Sequence, residues 1–138
     1  MKKICAMFSG GASSVKYLIE NDPNYNKEYA FVVGFTDKKD TLGEKYLKEN
    51  SIPCLHLSIK DFATENGYTG KTKNMPEVIR EKYFEDIINL LKDFDIDIII
   101  LSGFMLIISK PLLGYKPIIN VHPADLSIKD SFGRPKYI

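Results

Sequence analysis

The chain has 138 residues and a formal net charge of +1, with 19 basic and 18 acidic residues spread along its length. This length suits a single domain, and the even charge distribution excludes a basic stripe of the kind that binds nucleic acid. A membrane span is not expected, because no apolar run reaches about 18 residues, and the apolar stretch before Ser9 is too short for a signal peptide. The two cysteines, Cys5 and Cys54, lack metal-like spacing, so we expect reduced thiols in a cytoplasmic protein.

Apolar runs alternate with helical patterns along the first half of the chain. Ser13 and Ser14 follow the first apolar run and favour a capped helix at that point. Pro53 suggests the start of a strand or an edge position. The predicted elements are a strand at 4–8, a helix from 13, a strand at 29–35, a helix at 42–50 and a short strand at 52–55.

The segment from Ser58 to Met75 has no apolar periodicity and is rich in Asn, Gly, Thr and Lys. Its length is unusual for a simple connection in a compact domain. We predict a loop here, which would be either a substrate lid or a mobile connection. Within it, Lys71-Thr72-Lys73 is interpreted as solvated.

The second half of the chain continues the alternation. Pro76-Glu77 opens an amphipathic helix that ends near Phe94, and the apolar run at 96–101 is typical of a central parallel strand. A short helix from Lys110-Pro111 and a last strand at 117–121 follow. The pattern predicts a single-domain α/β fold with a doubly wound, mostly parallel sheet.

Three strand ends of such a sheet would meet at one edge, where parallel sheets bind ligands. The turn at 9–14 precedes a helix N-terminus and could hold a phosphate, although a tight turn also needs small residues for its own sake. The apolar segment at 103–108 could wall a pocket for a flat aromatic ligand, or it could be ordinary core.

Asn120 and His122 end the last strand and should share one face. An Asn amide can donate a hydrogen bond to a developing negative oxygen, and His can exchange a proton near neutral pH. The alternative is a strand-end His that bonds a backbone carbonyl. His56 is interpreted as structural, and the carboxylates at 93, 95 and 97 as a solvated loop, so no metal is implied.

Together, these segments resemble the 10-formyltetrahydrofolate-dependent formyltransferases, which have a Rossmann-like fold. Family motifs Ser-Gly-x-Gly-Ser-Asn and Gly-Phe-Met-Arg-Ile-Leu correspond to Ser9-Gly10-Gly11-Ala12-Ser13-Ser14 and Gly103-Phe104-Met105-Leu106-Ile107-Ile108. The family's Asn-x-His-Pro corresponds to Asn120-Val121-His122-Pro123, and its Arg-Glu-x-Tyr to Arg80-Glu81-Lys82-Tyr83.

The resemblance implies site residues and a reaction. The formyl group of 10-formyltetrahydrofolate would pass to a primary amine, by default glycinamide ribonucleotide of de novo purine biosynthesis, with no metal. The expected partner is thus a small phosphorylated amine. Binding to nucleic acid or to a membrane is not expected, and a homodimer is possible. The implied residues are Asn120 and His122 for catalysis; Gly10, Gly11, Ala12, Ser13 and Ser14 for phosphate; and Arg80, Met105, Leu106, Ile107, Ile108 and Asn120 for folate.

The chain also departs from the family pattern. The family's third catalytic residue, an Asp downstream of the His, has no match before Ile138, since Asp125 and Asp130 come too soon. We therefore expect 1–138 to be an incomplete, N-terminal portion of a catalytic domain.

Two substitutions and one differing loop leave the acceptor open. Leu106 stands where the family has Arg, Ser14 where it has Asn, and residues 124–127 differ from the usual loop. The acceptor could instead be water, as in formyltetrahydrofolate deformylase, or a methionyl-tRNA or an amino-sugar nucleotide. A non-catalytic folate- or nucleotide-binding homologue is the remaining alternative.

Overall fold

The computed structural model describes residues 1–121, which form one five-stranded sheet flanked by helices. All paired strands are parallel, in the order β3-β2-β1-β4-β5, so β1 lies at the centre. The predicted α/β class with a parallel, Rossmann-like sheet is confirmed. The strands are β1 (Lys2–Phe8), β2 (Tyr29–Thr36), β3 (Cys54–His56), β4 (Ile98–Ser102) and β5 (Ile118–Val121).

Five helices connect the strands within residues 1–121. Their order follows the predicted alternation, and the ends differ from the predictions by a few residues. None of these helices is long and apolar enough to cross a membrane. The helices are α1 (Ser13–Asn21), α2 (Leu42–Glu49), α3 (Ile59–Glu65), α4 (Glu77–Leu91) and α5 (Lys110–Leu113), with short 3-10 turns at Thr72–Asn74 and Lys92–Phe94.

The core occupies both faces of the sheet. Successive side chains of β1 point to opposite faces, and five of its residues in a row, 4–8, are buried. On one face Met7 packs with Phe84 of α4, and on the other Phe8 packs with Leu47 of α2. Each such side chain contributes roughly 1.5–3 kcal/mol when it leaves water. The central strand is therefore held from both sides, which fixes where its carboxyl end lies.

The prediction of a plain loop over 58–75 was wrong in its first part, where α3 forms. The Ser58 hydroxyl accepts a hydrogen bond from the backbone N–H of Asp61 at 3.2 Å and caps the helix. Ile59, Phe62 and Ala63 are buried at helical spacing. This apolar stripe covers barely two turns, which is too short to stand out as a periodic pattern.

Candidate active site

The turn between β1 and α1 has an unusual backbone at Ala12. This residue has φ of 51°, in the left-handed region, and it is buried. A left-handed conformation costs a residue with a Cβ roughly 1–2 kcal/mol. The family motif places Gly at this position, where the strain would vanish. In this chain Ala occupies that position.

The predicted side-chain cap of α1 was wrong. Ala12 is the N-cap residue, and α1 has no side-chain hydrogen bond at its start. Ser14 is buried instead, and its hydroxyl hydrogen-bonds the hydroxyl of Ser102 at the end of β4. Because the Ser14 side chain faces the sheet, it is not available to cap the helix.

The outer side of this turn is open. A Cβ added to Gly10 or Gly11 would meet no described atom within 4 Å. Ser13 is exposed at the first position of α1, where free backbone N–H groups and the helix dipole favour an anion. The turn can therefore accept a phosphate close to its backbone.

Two hydrogen bonds tie this turn to the segment that follows β4. The Ser9 hydroxyl accepts from the backbone N–H of Met105 at 2.9 Å, and the Ser9 N–H donates to the carbonyl of Gly103 at 3.3 Å. Ser9 is buried, so water competes little with these bonds. These bonds hold the turn at 9–14 and the segment at 103–108 in a fixed position relative to each other.

Gly43 at the start of α2 supports the turn from the other side. Its N–H donates to the carbonyl of Gly10 at 3.1 Å. A Cβ at Gly43 would lie 2.5 Å from that carbonyl oxygen and 2.8 Å from the ring of Phe8. Only glycine fits this contact without moving the turn.

Replacing Gly43 by Ala should therefore lower the free energy of unfolding by about 1–3 kcal/mol, because neither a backbone carbonyl nor a packed ring yields easily. Chemical denaturation measures the effect. Gly114→Ala is the matched control: its Cβ would meet only Lys110 O at 3.8 Å, and its φ of −92° suits any residue. Equal stability of the two variants would contradict the close contact.

The segment from Gly103 to Ile108 is apolar but only partly buried. The ring of Phe104 packs edge-on against Phe35 at 6.4 Å and Phe84 at 6.5 Å between centroids. Met105 and Ile107 are 74% and 59% exposed, whereas the residues between and beside them are half-buried. Phe104 anchors the segment, and Met105 and Ile107 form an apolar surface at the carboxyl edge of the sheet.

Arg80 of α4 lies beside that surface. It is only 4% exposed, and its Nη2 donates to the carbonyl of Thr72 at 3.1 Å. Its Nε lies 3.7 Å from a carboxylate oxygen of Glu77. A cavity of about 70 Å³, called the Arg80 cavity below, is lined by Thr72, Lys73, Arg80, Met105, Leu106 and Ile107.

The structure thus gathers four of the residues for which the resemblance implies folate contacts: Arg80, Met105, Leu106 and Ile107. Ile108 is absent from this lining and packs against the core. At about 70 Å³ the cavity is far smaller than a typical ligand pocket of roughly 300–1,000 Å³, so it can take only the edge of a ligand, where the buried guanidinium can orient a carboxylate.

Asn120 lies on β5, paired in register with Leu101 of β4. Its side chain is exposed near the same carboxyl edge. His122 follows two residues later and lies outside the described residues, as does the segment at 123–138. The described chain therefore places the phosphate turn, the apolar segment and Asn120 at the ends of three adjacent strands, β1, β4 and β5.

Asp37 directly follows β2 and is buried. The Oδ1 atom of Asp37 has no hydrogen-bond partner within residues 1–121. Burial raises the pKa of Tyr83, and the negative charge of Asp37 raises it further. A buried carboxylate oxygen is costly to leave unpaired, which makes Asp37 a candidate site residue. In the sequence, the sign of such a role is a single acidic residue directly after an apolar strand.

Neither His56 nor Asp97 lines the Arg80 cavity. His56 is half-buried at the end of edge strand β3. Asp97 lies at the opposite edge of the sheet, where a hydrogen bond from the backbone N–H of Lys3 at 2.8 Å lowers its pKa. In the described part of the chain, no three His, Cys, Asp or Glu side chains are grouped so that they could hold a metal ion.

Comparison with solved structures supports this fold. Phosphoribosylglycinamide formyltransferase from Streptococcus pneumoniae TIGR4 superposes with a TM-score of 0.66 at 25% identity, over 92% of this chain and 59% of that one. The enzyme of the same name from Brucella melitensis gives a TM-score of 0.67 at 24% identity, with the same coverage. At 24% identity, the similarity to the Brucella melitensis enzyme supports only the fold.

Sequence comparison finds relatives that are longer than this chain. A chloroplastic phosphoribosylglycinamide formyltransferase of Arabidopsis thaliana is 26% identical over 127 residues, which span 89% of this chain and 38% of that protein. The trifunctional purine biosynthetic protein adenosine-3 of Drosophila melanogaster is 28% identical over 127 residues, which are 8% of its length. The family model described as formyl transferase matches residues 2–127, and the chain therefore belongs to the formyl transferase family.

Proposed function

We propose that this protein transfers the formyl group of 10-formyltetrahydrofolate to a primary amine. The observation that carries the proposal is the hydrogen-bonded link between the open turn at 9–14 and the segment at 103–108 in a chain that matches the formyl transferase model. One segment suits a phosphate and the other a folate ring. The link sets the two ligands at a fixed separation, as transfer between them requires.

In this proposal, the acceptor's phosphate binds the backbone of Gly10 to Ser14. Its amine then attacks the formyl carbon of the donor, whose folate part contacts the Arg80 cavity, Ile108 and Asn120. The formyl oxygen becomes negative as the tetrahedral intermediate forms. The amide of Asn120 and protonated His122 donate hydrogen bonds to that oxygen. His122 then assists proton transfer toward the departing folate nitrogen.

The default acceptor is glycinamide ribonucleotide. Its support comes from the names of the relatives in Arabidopsis thaliana and Streptococcus pneumoniae, both phosphoribosylglycinamide formyltransferases. The protein would act in the cytoplasm, in agreement with free thiols at buried Cys5 and half-buried Cys54. The proposed partner is a small phosphorylated amine, and association with a second copy of the chain is left open.

Formyl transfer is tested with the full-length gene product by following release of tetrahydrofolate from 10-formyltetrahydrofolate. We expect release only when glycinamide ribonucleotide is present. Release that needs no amine would assign hydrolysis instead. The proposal would be contradicted if tetrahydrofolate were released with none of three acceptors: the ribonucleotide, a methionyl-tRNA and an amino-sugar nucleotide. Folate binding without release would not rescue it.

Replacing Gly11 by Ala should raise the KM of the phosphorylated acceptor about tenfold or more, because the new methyl group stands where the phosphate approaches the backbone. Folding should be unaffected, since the added Cβ meets no described atom within 4 Å. Steady-state kinetics with varied acceptor, together with a thermal melt, measures both effects. An unchanged KM for the acceptor would place the phosphate elsewhere.

A further inference from the structure

Ser14 and Ser102 form a buried pair of hydroxyl groups that joins α1 to β4. The two hydroxyls hydrogen-bond each other although the residues lie 88 positions apart, and they are only 1% and 2% exposed. Because water hardly reaches them, either hydroxyl would be left without a partner if the other were removed. The family motif has Asn where this chain has Ser14, so the pair is not part of that motif.

The two ends of this bond lie at different parts of the proposed site. Ser14 belongs to the first turn of α1, whose free N–H groups form the proposed phosphate site. Ser102 is the last residue of β4 and directly precedes the apolar segment at 103–108. It is also paired in register with Val121 of β5, which directly follows Asn120. The bond therefore connects the phosphate site to the two strands that carry the proposed donor and oxyanion contacts.

The start of α1 has few other directional contacts. Its N-cap residue, Ala12, makes no side-chain hydrogen bond. Val15 is buried in the core, but apolar packing is non-directional and does not set the position of a helix as a hydrogen bond does. Within residues 1–121, the bond between Ser14 and Ser102 is the one side-chain hydrogen bond that joins α1 to a strand.

We propose that Ser14 and Ser102 are positioning residues for formyl transfer. Their bond holds the phosphate site at the distance from Asn120 at which the acceptor amine reaches the formyl carbon, and this inference rests on the proposed function. Loss of the bond would leave the backbone N–H groups of α1 in place, so the phosphate should still bind. The amine would be displaced from the formyl carbon, and a displacement of about 1 Å can cost on the order of 100-fold in rate.

The test compares Ser14→Ala, Ser102→Ala and the double variant S14A/S102A in the full-length gene product, with 10-formyltetrahydrofolate and glycinamide ribonucleotide as substrates. Each single variant leaves one buried hydroxyl unpaired and should lower the melting temperature by about 2–10 °C. The double variant leaves neither hydroxyl and should recover most of that loss. All three should lower kcat about 10- to 100-fold and leave the KM of acceptor and donor within about twofold.

Ser109→Ala is the matched control. Ser109 is also buried, and its hydroxyl has no hydrogen-bond partner within residues 1–121. Since its removal breaks no described hydrogen bond, kcat should stay within about twofold of the parent value.

A double variant that recovers kcat together with its melting temperature would overturn the positioning role, because the pair would then act only on stability. A raised acceptor KM in Ser14→Ala but not in Ser102→Ala would also overturn it and would make the Ser14 hydroxyl a direct phosphate ligand. A low kcat in all three variants, with unchanged KM values and a stable double variant, would support the role. If the parent protein itself transfers no formyl group, the proposed function fails and the positioning role fails with it.

Discussion

Replacing Asn120 by Ala in the full-length gene product should slow formyl transfer by about 100- to 1,000-fold, the usual cost of losing one donor to a developing oxyanion. The effect should fall on kcat, because the hydrogen bond strengthens only as the oxygen becomes negative. His122→Ala should cost a similar factor. The double variant should be little slower than either single variant, since both groups act on one oxygen. Single-turnover release of tetrahydrofolate measures all three.

Folding should be unaffected by the Asn120 substitution, because the side chain is exposed on the edge of the described sheet and such changes stay within about 0.5 kcal/mol. Asn89→Ala, at an exposed position of α4, is the matched control and should leave the rate unchanged. Loss of activity in Asn120→Ala accompanied by unfolding, or a rate within threefold of the parent protein, would contradict the assigned role.

Replacing Arg80 by Met should raise the KM for the folate donor about 10- to 100-fold with little change in kcat, since a hydrogen bond to a charged group contributes about 1.5–3 kcal/mol. Met retains much of the buried volume but leaves the carbonyl of Thr72 without its donor. Arg80→Lys should be nearly as poor, because an ammonium cannot bond the carbonyl and a carboxylate in the same planar geometry. Kinetics with varied donor and saturating acceptor measures this.

Glu77→Gln provides the comparison for Arg80. Glu77 is 58% exposed and its carboxylate lies 3.7 Å from the Arg80 Nε, so the ion pair is weak and its loss should change donor KM less than twofold. If donor binding is unchanged in Arg80→Met, the folate does not bind beside α4. Equal effects in Arg80→Met and Glu77→Gln would assign the loss to the ion pair rather than to the donor contact.

Much of the fold follows from local pattern. The run at 96–101 predicts a central strand because parallel strands covered on both faces consist almost wholly of apolar residues, and β4 is indeed buried over 99–102. Parallel strands then bring their carboxyl ends to one edge. That step alone places the turn at 9–14, the segment at 103–108 and Asn120 near one another.

Other features depend on contacts that no local pattern contains. Ala is rarely left-handed, so nothing in the sequence identifies the backbone of Ala12 apart from its place in the resembling motif. The bond from Met105 to Ser9 joins residues 96 positions apart. The site roles of Asn120 and His122 stay predictions, and His122 lies outside the described residues.

The start of α3 carries a local signal in the sequence. Ser58-Ile59-Lys60-Asp61 has the Ser-x-x-acid spacing of a helix start, and Ser58 does cap α3 through the N–H of Asp61. With only seven residues, α3 is too short to show a long apolar periodicity.

The most direct measurement is a crystal structure of the full-length gene product with tetrahydrofolate and glycinamide ribonucleotide bound. The account predicts the phosphate on the backbone of Gly10 to Ser14, the folate between Arg80 and the segment at 103–108, and the folate nitrogen and the acceptor amine meeting beside Asn120. A folate bound away from Arg80, or a phosphate bound away from the turn at 9–14, would contradict it.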